Sequence, residues 1–189
     1  MTLVPAFEIG VWNAWIFMLY EVLTFPFFFR VARGRAPEDT SQVAAMPKAK
    51  RIILYSSKII YIPALIYSIF LPIKLGTVWF YVGLPITLIG LITSTIVLVN
   101  WATSPHGEPV TRGLYRYSRH PMYVTSFVFF LGVSIATASW VFLLFTLLLT
   151  AACVYFAPVE EKGCLAQYGN AYREYMNRTP RWIGIPKSH

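Results

Sequence analysis

The chain has 189 residues, 57% of them hydrophobic and 13% charged, whereas soluble domains carry charge at about a quarter of their positions. That composition excludes a water-soluble globular domain and points to a polytopic membrane protein. The net charge of +8 would suit nucleic acid in a soluble chain, but in a membrane chain Lys and Arg fix which loops stay in the cytoplasm, so no nucleic-acid partner is expected.

Met1 to Gly10 lacks the basic start of a cleaved leader, so the first apolar run is expected to stay as a membrane helix. That span covers about Phe7 to Phe29 and closes on Arg30. The polar stretch Arg33-Gly34-Arg35-Ala36-Pro37-Glu38-Asp39 cannot lie in lipid and opens a loop to Arg51. A second span, Ile52 to Ile73, carries Pro63 and Pro72, with a kink at Pro63. Lys74-Leu75-Gly76 is a short turn, so a third span, Thr77 to Trp101, returns beside the second. After a loop to Arg119, a fourth span follows Pro121 and fades at Ala136-Thr137-Ala138-Ser139. The fifth runs from Trp140 to Ala157, and Pro158 marks a break.

Beyond it, Leu165, Tyr168, Tyr172, Tyr175 and Met176 recur at helical spacing, which predicts an amphipathic helix bent at Gly169-Asn170 and ended by Thr179-Pro180-Arg181-Trp182. The predicted fold is all-α: five transmembrane helices, a C-terminal helical hairpin and a cytoplasmic amphipathic helix. With five spans nearly every loop Lys and Arg falls on one face and Lys74 alone on the other, which puts the N-terminus outside and the C-terminus in the cytoplasm. Glu21 and Lys58 are charges within spans, about 13 and 10 Å from the basic ends. An interhelical ion pair is the expected use, a polar intramembrane site the other. Cys153 and Cys164, eleven positions apart, have neither metal-ligand nor disulfide spacing, and no metal is expected.

The chemistry-bearing residues lie at the two ends of the last hairpin. His120 and Glu160 are forty positions apart, and two spans with a tight turn between them return the chain to the face it left. Arg119-His120 and Glu160-Glu161 should therefore meet at the cytoplasmic boundary. Pro121 suits the first helical position, where its missing N–H costs nothing. His120 then stands at the N-cap, and the helix start with Arg119 offers a seat for a carboxylate or phosphate. Glu160 and Glu161 offer acceptors for ribose hydroxyls or an ammonium group. Together the two halves suit a zwitterionic ligand that also carries a sugar.

Arg119-His120-Pro121-Met122-Tyr123, then Glu160-Glu161, then Tyr168-Gly169-Asn170-Ala171-Tyr172-Arg173-Glu174-Tyr175 resemble the isoprenylcysteine carboxyl methyltransferase and phospholipid N-methyltransferase superfamily over roughly the last eighty residues. The approach Val110-Thr111-Arg112-Gly113-Leu114-Tyr115 resembles it too. The resemblance implies S-adenosylmethionine as cofactor, held by Tyr115, Arg119, His120, Pro121, Tyr123, Glu160 and Glu161. It implies Glu161 and Arg173 as catalytic residues, Tyr172 and Arg173 toward the substrate, and a lipidic or hydrophobic acceptor such as a prenylcysteine carboxylate or phospholipid headgroup. Residues 1–102 would then be a three-span anchor and 103–189 the cofactor-binding region. Thr125 stands where many members have glycine, which bears on the pocket and so on the substrate. A nicotinamide-dependent sterol or steroid reductase is the alternative, disfavoured by Met122 before the motif tyrosine and by the short chain. A non-catalytic transporter subunit built around Glu21 and Lys58 ranks third.

Overall fold

The structure is a computed structural model that describes residues 7–31 and 60–187. Its helices are α1 (Trp15–Val31), α2 (described part Ile60–Ile69), α3 (Val78–Ala102), α4 (Pro121–Ala136), α5 (Trp140–Tyr168) and α6 (Asn170–Arg178), with a 3₁₀ turn at Gly113–Arg116.

The all-α class stands, but the five-span architecture does not. Among the described residues, two helices, α3 and α5, are long and apolar enough to cross a membrane. At 1.5 Å per residue they measure about 37 and 43 Å, against a hydrocarbon core of about 30 Å. The expected first span fails because residues 8–14 are not helical: an isolated antiparallel bridge pairs 12–14 with 71–73, and Glu8 N–H donates to Phe70 O at 3.0 Å. Ala14 N–H donates to Leu71 O at 2.8 Å and Ile73 N–H to Trp12 O at 3.0 Å, and the bridge joins Asn13 to Pro72. Asn13, buried, clamps this pairing with amide bonds to the carbonyls of Glu8 (2.6 Å) and Ile69 (2.7 Å). The same pairing stops α2 at Ile69, four residues before the expected end. The fourth expected span, α4, has 16 residues, about 24 Å. Residues 52–59 of the second span, and with them Lys58 and its pairing with Glu21, lie outside the described residues, as does most of the first loop.

α3 and α5 associate the chain with a membrane, and their outer faces suit it. Val78, Tyr81, Val82, Ile89 and Ile92 on α3 and Leu144 and Leu147 on α5 are exposed, which costs little in hydrocarbon. The inner face of α3 carries small side chains: Gly83, Thr87, Gly90 and Ser94 are buried. These let α4 approach until the backbones touch. A Cβ at Gly83 would lie 2.2 Å from Ala136 N, one at Gly90 2.4 Å from Phe129 N, and one at Gly132 2.3 Å from Thr87 N. Close packing through small residues is how helices associate where lipid removes the hydrophobic drive. The three contacts define one antiparallel register, which sets Thr125 opposite Ser94. Thr125 is buried, its hydroxyl donating to Met122 O at 3.2 Å, so it belongs to the α3–α4 seam.

A tight corner joins α4 to α5. Thr137 caps α4, Ala138 takes a left-handed φ of 50°, and Ser139 Oγ accepts from Phe142 N–H at 3.1 Å as the N-cap of α5. Ser134 and Thr146 hydroxyls, 3.1 Å apart, tie the two helices inside a core of Met18, Tyr67, Phe129, Phe130, Val133 and Phe142. Pro158 does not break the chain as expected. α5 runs through it to Tyr168, and Gly169, at φ 55°, makes the bend instead. Proline costs a membrane helix one internal hydrogen bond, which neighbours re-satisfy, whereas a left-handed φ stops the helix outright. The predicted amphipathic tail is thus split between the end of α5 and α6.

Candidate functional site

The α4–α5 hairpin brings the two predicted polar blocks together. Pro121 is the first residue of α4 and His120 its N-cap, as Pro121 dictates. Ser118 braces this start: its Oγ accepts from His120 N–H at 3.1 Å. The His120 ring lies between the glutamates, Nδ1 3.3 Å from Glu160 Oε2 and Nε2 3.2 Å from Glu161 Oε1. It stacks on Tyr123 at 5.4 Å between centroids and leans on Trp182 at 5.8 Å. Tyr123 Oη donates to Glu160 Oε1 at 2.6 Å.

The glutamates differ sharply. Glu160 keeps 51% of its side chain exposed, whereas Glu161 keeps 4%. Arg181 forks onto Glu161, Nε to Oε1 at 2.9 Å and Nη2 to Oε2 at 2.7 Å. Arg119 Nη1 stands 3.3 Å from Oε1. Burial pushes the Glu161 carboxyl up, but the Arg181 hydrogen bonds, the Arg119 charge and the His120 bond outweigh it, and the group sits below its ordinary value. The Glu161 hydrogen bond in turn raises the Arg181 guanidinium. Arg119 Nε and Nη1 are buried and meet no hydrogen-bond partner among the described residues. Nη1 keeps its ion pair with Glu161 Oε1 but makes no hydrogen bond, and Nε has neither; buried cationic donors in that condition favour a nearby anion.

The segment after α6 closes the site from above. Arg119 N–H donates to Pro180 O at 3.0 Å, Gly184 N–H to Tyr117 O at 3.1 Å, and Ser118 Oγ to Arg181 O at 3.2 Å. Tyr175 Oη donates to Tyr115 O at 2.7 Å and so docks α6 on the 3₁₀ turn. Tyr115 is buried there. Tyr172 is buried against Tyr175, ring centroids 5.7 Å apart, and burial raises both phenols. Arg173 is exposed on the opposite face of α6.

The structure therefore gathers Arg119, His120, Pro121, Tyr123, Glu160 and Glu161 into one cluster, with Tyr115 and Tyr172 packed behind it and Arg173 outside it. Sequence reading passed over Ser118, Tyr175, Arg181 and Trp182 as site residues. Arg181 had one available signal: two adjacent carboxylates at a helix end need more positive charge than Arg119 supplies, and Pro180-Arg181-Trp182 is a rigid turn one short helix away.

Comparison with known proteins bears on the same elements. The family model described as phospholipid methyltransferase matches residues 75–171, just over half the chain, from the turn before α3 to the start of α6. The protein-S-isoprenylcysteine O-methyltransferase of Schizosaccharomyces pombe is 36% identical over 78 residues, which is 41% of this chain. The match takes in 32% of that protein, so the chain spans about a third of the length of the curated relative.

Proposed function

Because the chain belongs to the phospholipid methyltransferase family, we propose that it transfers a methyl group from S-adenosylmethionine to a lipidic or hydrophobic acceptor at the membrane boundary. When bound, the cofactor supplies an electrophilic methyl on a sulfonium, so transfer needs alignment more than acid or base. The observation that carries the reading is that Arg119 Nε and Nη1 are buried without a hydrogen bond, in the cluster that also holds, across His120, the half-exposed Glu160. The donors suit the carboxylate of an amino-acid moiety. The Glu160 carboxylate, held at one oxygen by Tyr123 and faced at the other by His120, keeps lone pairs for ribose hydroxyls or an ammonium group.

Glu161 has another part. Buried and bound by cations, it holds Arg119, His120 and Arg181 at fixed distances, which is preorganisation of the seat. Pro121 sets the turn that aims His120, and Tyr115 supports the floor through its carbonyl. Tyr172 packs behind the cluster as support, and Arg173, exposed on the other face of α6, would attract an acidic headgroup. The setting supports a lipidic or hydrophobic acceptor: α3 and α5 carry exposed apolar faces, and the cluster lies past the apolar stretch of α5, which holds no charge from Trp140 to Ala157. The site end also carries most of the described basic residues while Lys74 lies at the other end, so the site faces the cytoplasm.

Calorimetric titration of the protein in nanodiscs with S-adenosylhomocysteine, with NADPH as control, tests the reading. Saturable binding of the first, weakened at least tenfold in Glu160→Ala, supports it. Binding of NADPH alone, or of neither, overturns it.

A further inference from the structure

Glu161 Oε1 has three nitrogen neighbours and two lone pairs. Arg181 Nε at 2.9 Å and His120 Nε2 at 3.2 Å take the pairs. Arg119 Nη1, at 3.3 Å from the same oxygen, is close enough for Coulomb attraction but has no lone pair to align with, and accordingly makes no hydrogen bond. Arg181 also holds Oε2 at 2.7 Å. Arg181 itself is held in place by its own backbone: its carbonyl accepts from Ser118 Oγ, and the preceding Pro180 carbonyl accepts from Arg119 N–H.

We propose that Arg181 is a positioning residue that, with His120, fills the lone pairs of Glu161 Oε1, the oxygen Arg119 faces, and so keeps the Arg119 guanidinium free to bind a carboxylate ligand. Without Arg181, an Oε1 lone pair and the whole of Oε2 become available. Arg119 then closes onto Glu161 as an ordinary bidentate pair, and the anion seat is consumed from within. The inference rests on the methyltransferase reading for the identity of the ligand, and on geometry alone for the switch.

The test compares two ligands that share the adenosine and sulfur but differ in the amino-acid end: S-adenosylhomocysteine and 5′-methylthioadenosine, which lacks the carboxylate. In nanodiscs, Arg181→Ala is expected to weaken S-adenosylhomocysteine about ten- to a hundredfold, the range for losing a charge-assisted hydrogen bond, and to change methylthioadenosine less than about twofold on the same physical ground. Arg181→Lys, which keeps the charge without the fork, recovers part of the loss. Added guanidinium, which reaches the vacated position because Arg181 is 40% exposed, recovers it in Arg181→Ala. Equal weakening of both ligands, or of neither, overturns the inference. Failure of wild type to bind either ligand overturns the methyltransferase reading instead. In that event the ligand-free Arg119 Nε–H resonance, assigned by Arg119→Lys, decides the switch by itself: Arg181→Ala moves it to a hydrogen-bonded position if the inference holds, and leaves it unmoved if not.

Discussion

Glu161 shows how one buried group can carry an arrangement. It is 3% exposed and receives Arg181, His120 and the charge of Arg119, so Glu161→Gln removes the charge while keeping the shape. Breaking a buried ion pair from one side costs roughly 3–5 kcal/mol, and the partial exposure of Arg181 places this variant at the low end. The thermal midpoint of Glu161→Gln at pH 7 should therefore fall clearly below wild type. Its pH dependence has a definite sign. A carboxyl held below its ordinary value near 4.5 contributes stability that is whole above that pH and is lost as pH falls through the lower folded value. The contribution of the Glu161 charge to the gap in midpoint between wild type and Glu161→Gln should shrink as pH falls below about 4.5. A gap that widens on acidification would contradict the assignment. That Glu161 is paired was legible because a double carboxylate at the end of an apolar run is costly otherwise. Its role as the hub was not, since that depends on Arg181, twenty positions on, folding back.

At the scale of elements, the α3–α4 seam is the rigid part on which the site is mounted. A Cβ at Gly90 or Gly132 would lie 2.4 or 2.3 Å from a backbone nitrogen of the facing helix, and backbone cannot yield as a side-chain tip would. Gly90→Ala and Gly132→Ala should each cost at least the roughly 1–3 kcal/mol typical of overpacking, read as a lowered midpoint and reduced yield of folded protein. Because α4 starts at His120, a forced separation also displaces the ring from the glutamates, so both variants should lose ligand affinity as well. Ser139→Ala, which removes the N-cap of α5, is milder: about 1 kcal/mol, with affinity intact. The hairpin itself was readable from Pro121, the small residues near 136–139 and Glu160-Glu161, all local signals. The break assigned to Pro158 was misplaced, because proline's penalty is small in lipid and the left-handed Gly169 is the true stop.

For the whole molecule, anchorage and chemistry are carried by different parts. α3 and α5 hold the chain in the membrane, and the segment after α6 completes the site by three hydrogen bonds to 117–119 and by the Arg181 fork. Truncation after Thr179 should thus leave the protein in the membrane fraction after carbonate extraction while abolishing S-adenosylhomocysteine binding. Loss of both together would mean that the tail is needed for folding and not only for the site.

What the sequence determined by itself is the membrane class, the helical hairpin, the pairing of Arg119-His120 with Glu160-Glu161, and the family resemblance. Each rests on composition or on spacing within one local unit, which the chain cannot rearrange. The tertiary structure alone decided how many helices have the length to span and what surrounds Glu161. Residues 8–14 were counted into the first span, but Glu8 N–H, Trp12 O and Ala14 N–H bond to 70–73 instead, and the Asn13 amide clamps that arrangement. Arg181 likewise reads as a tail residue until Pro180 and Ser118 anchor its backbone across the site. Both outcomes turn on hydrogen bonds between distant segments, and no periodicity in either segment encodes its partner.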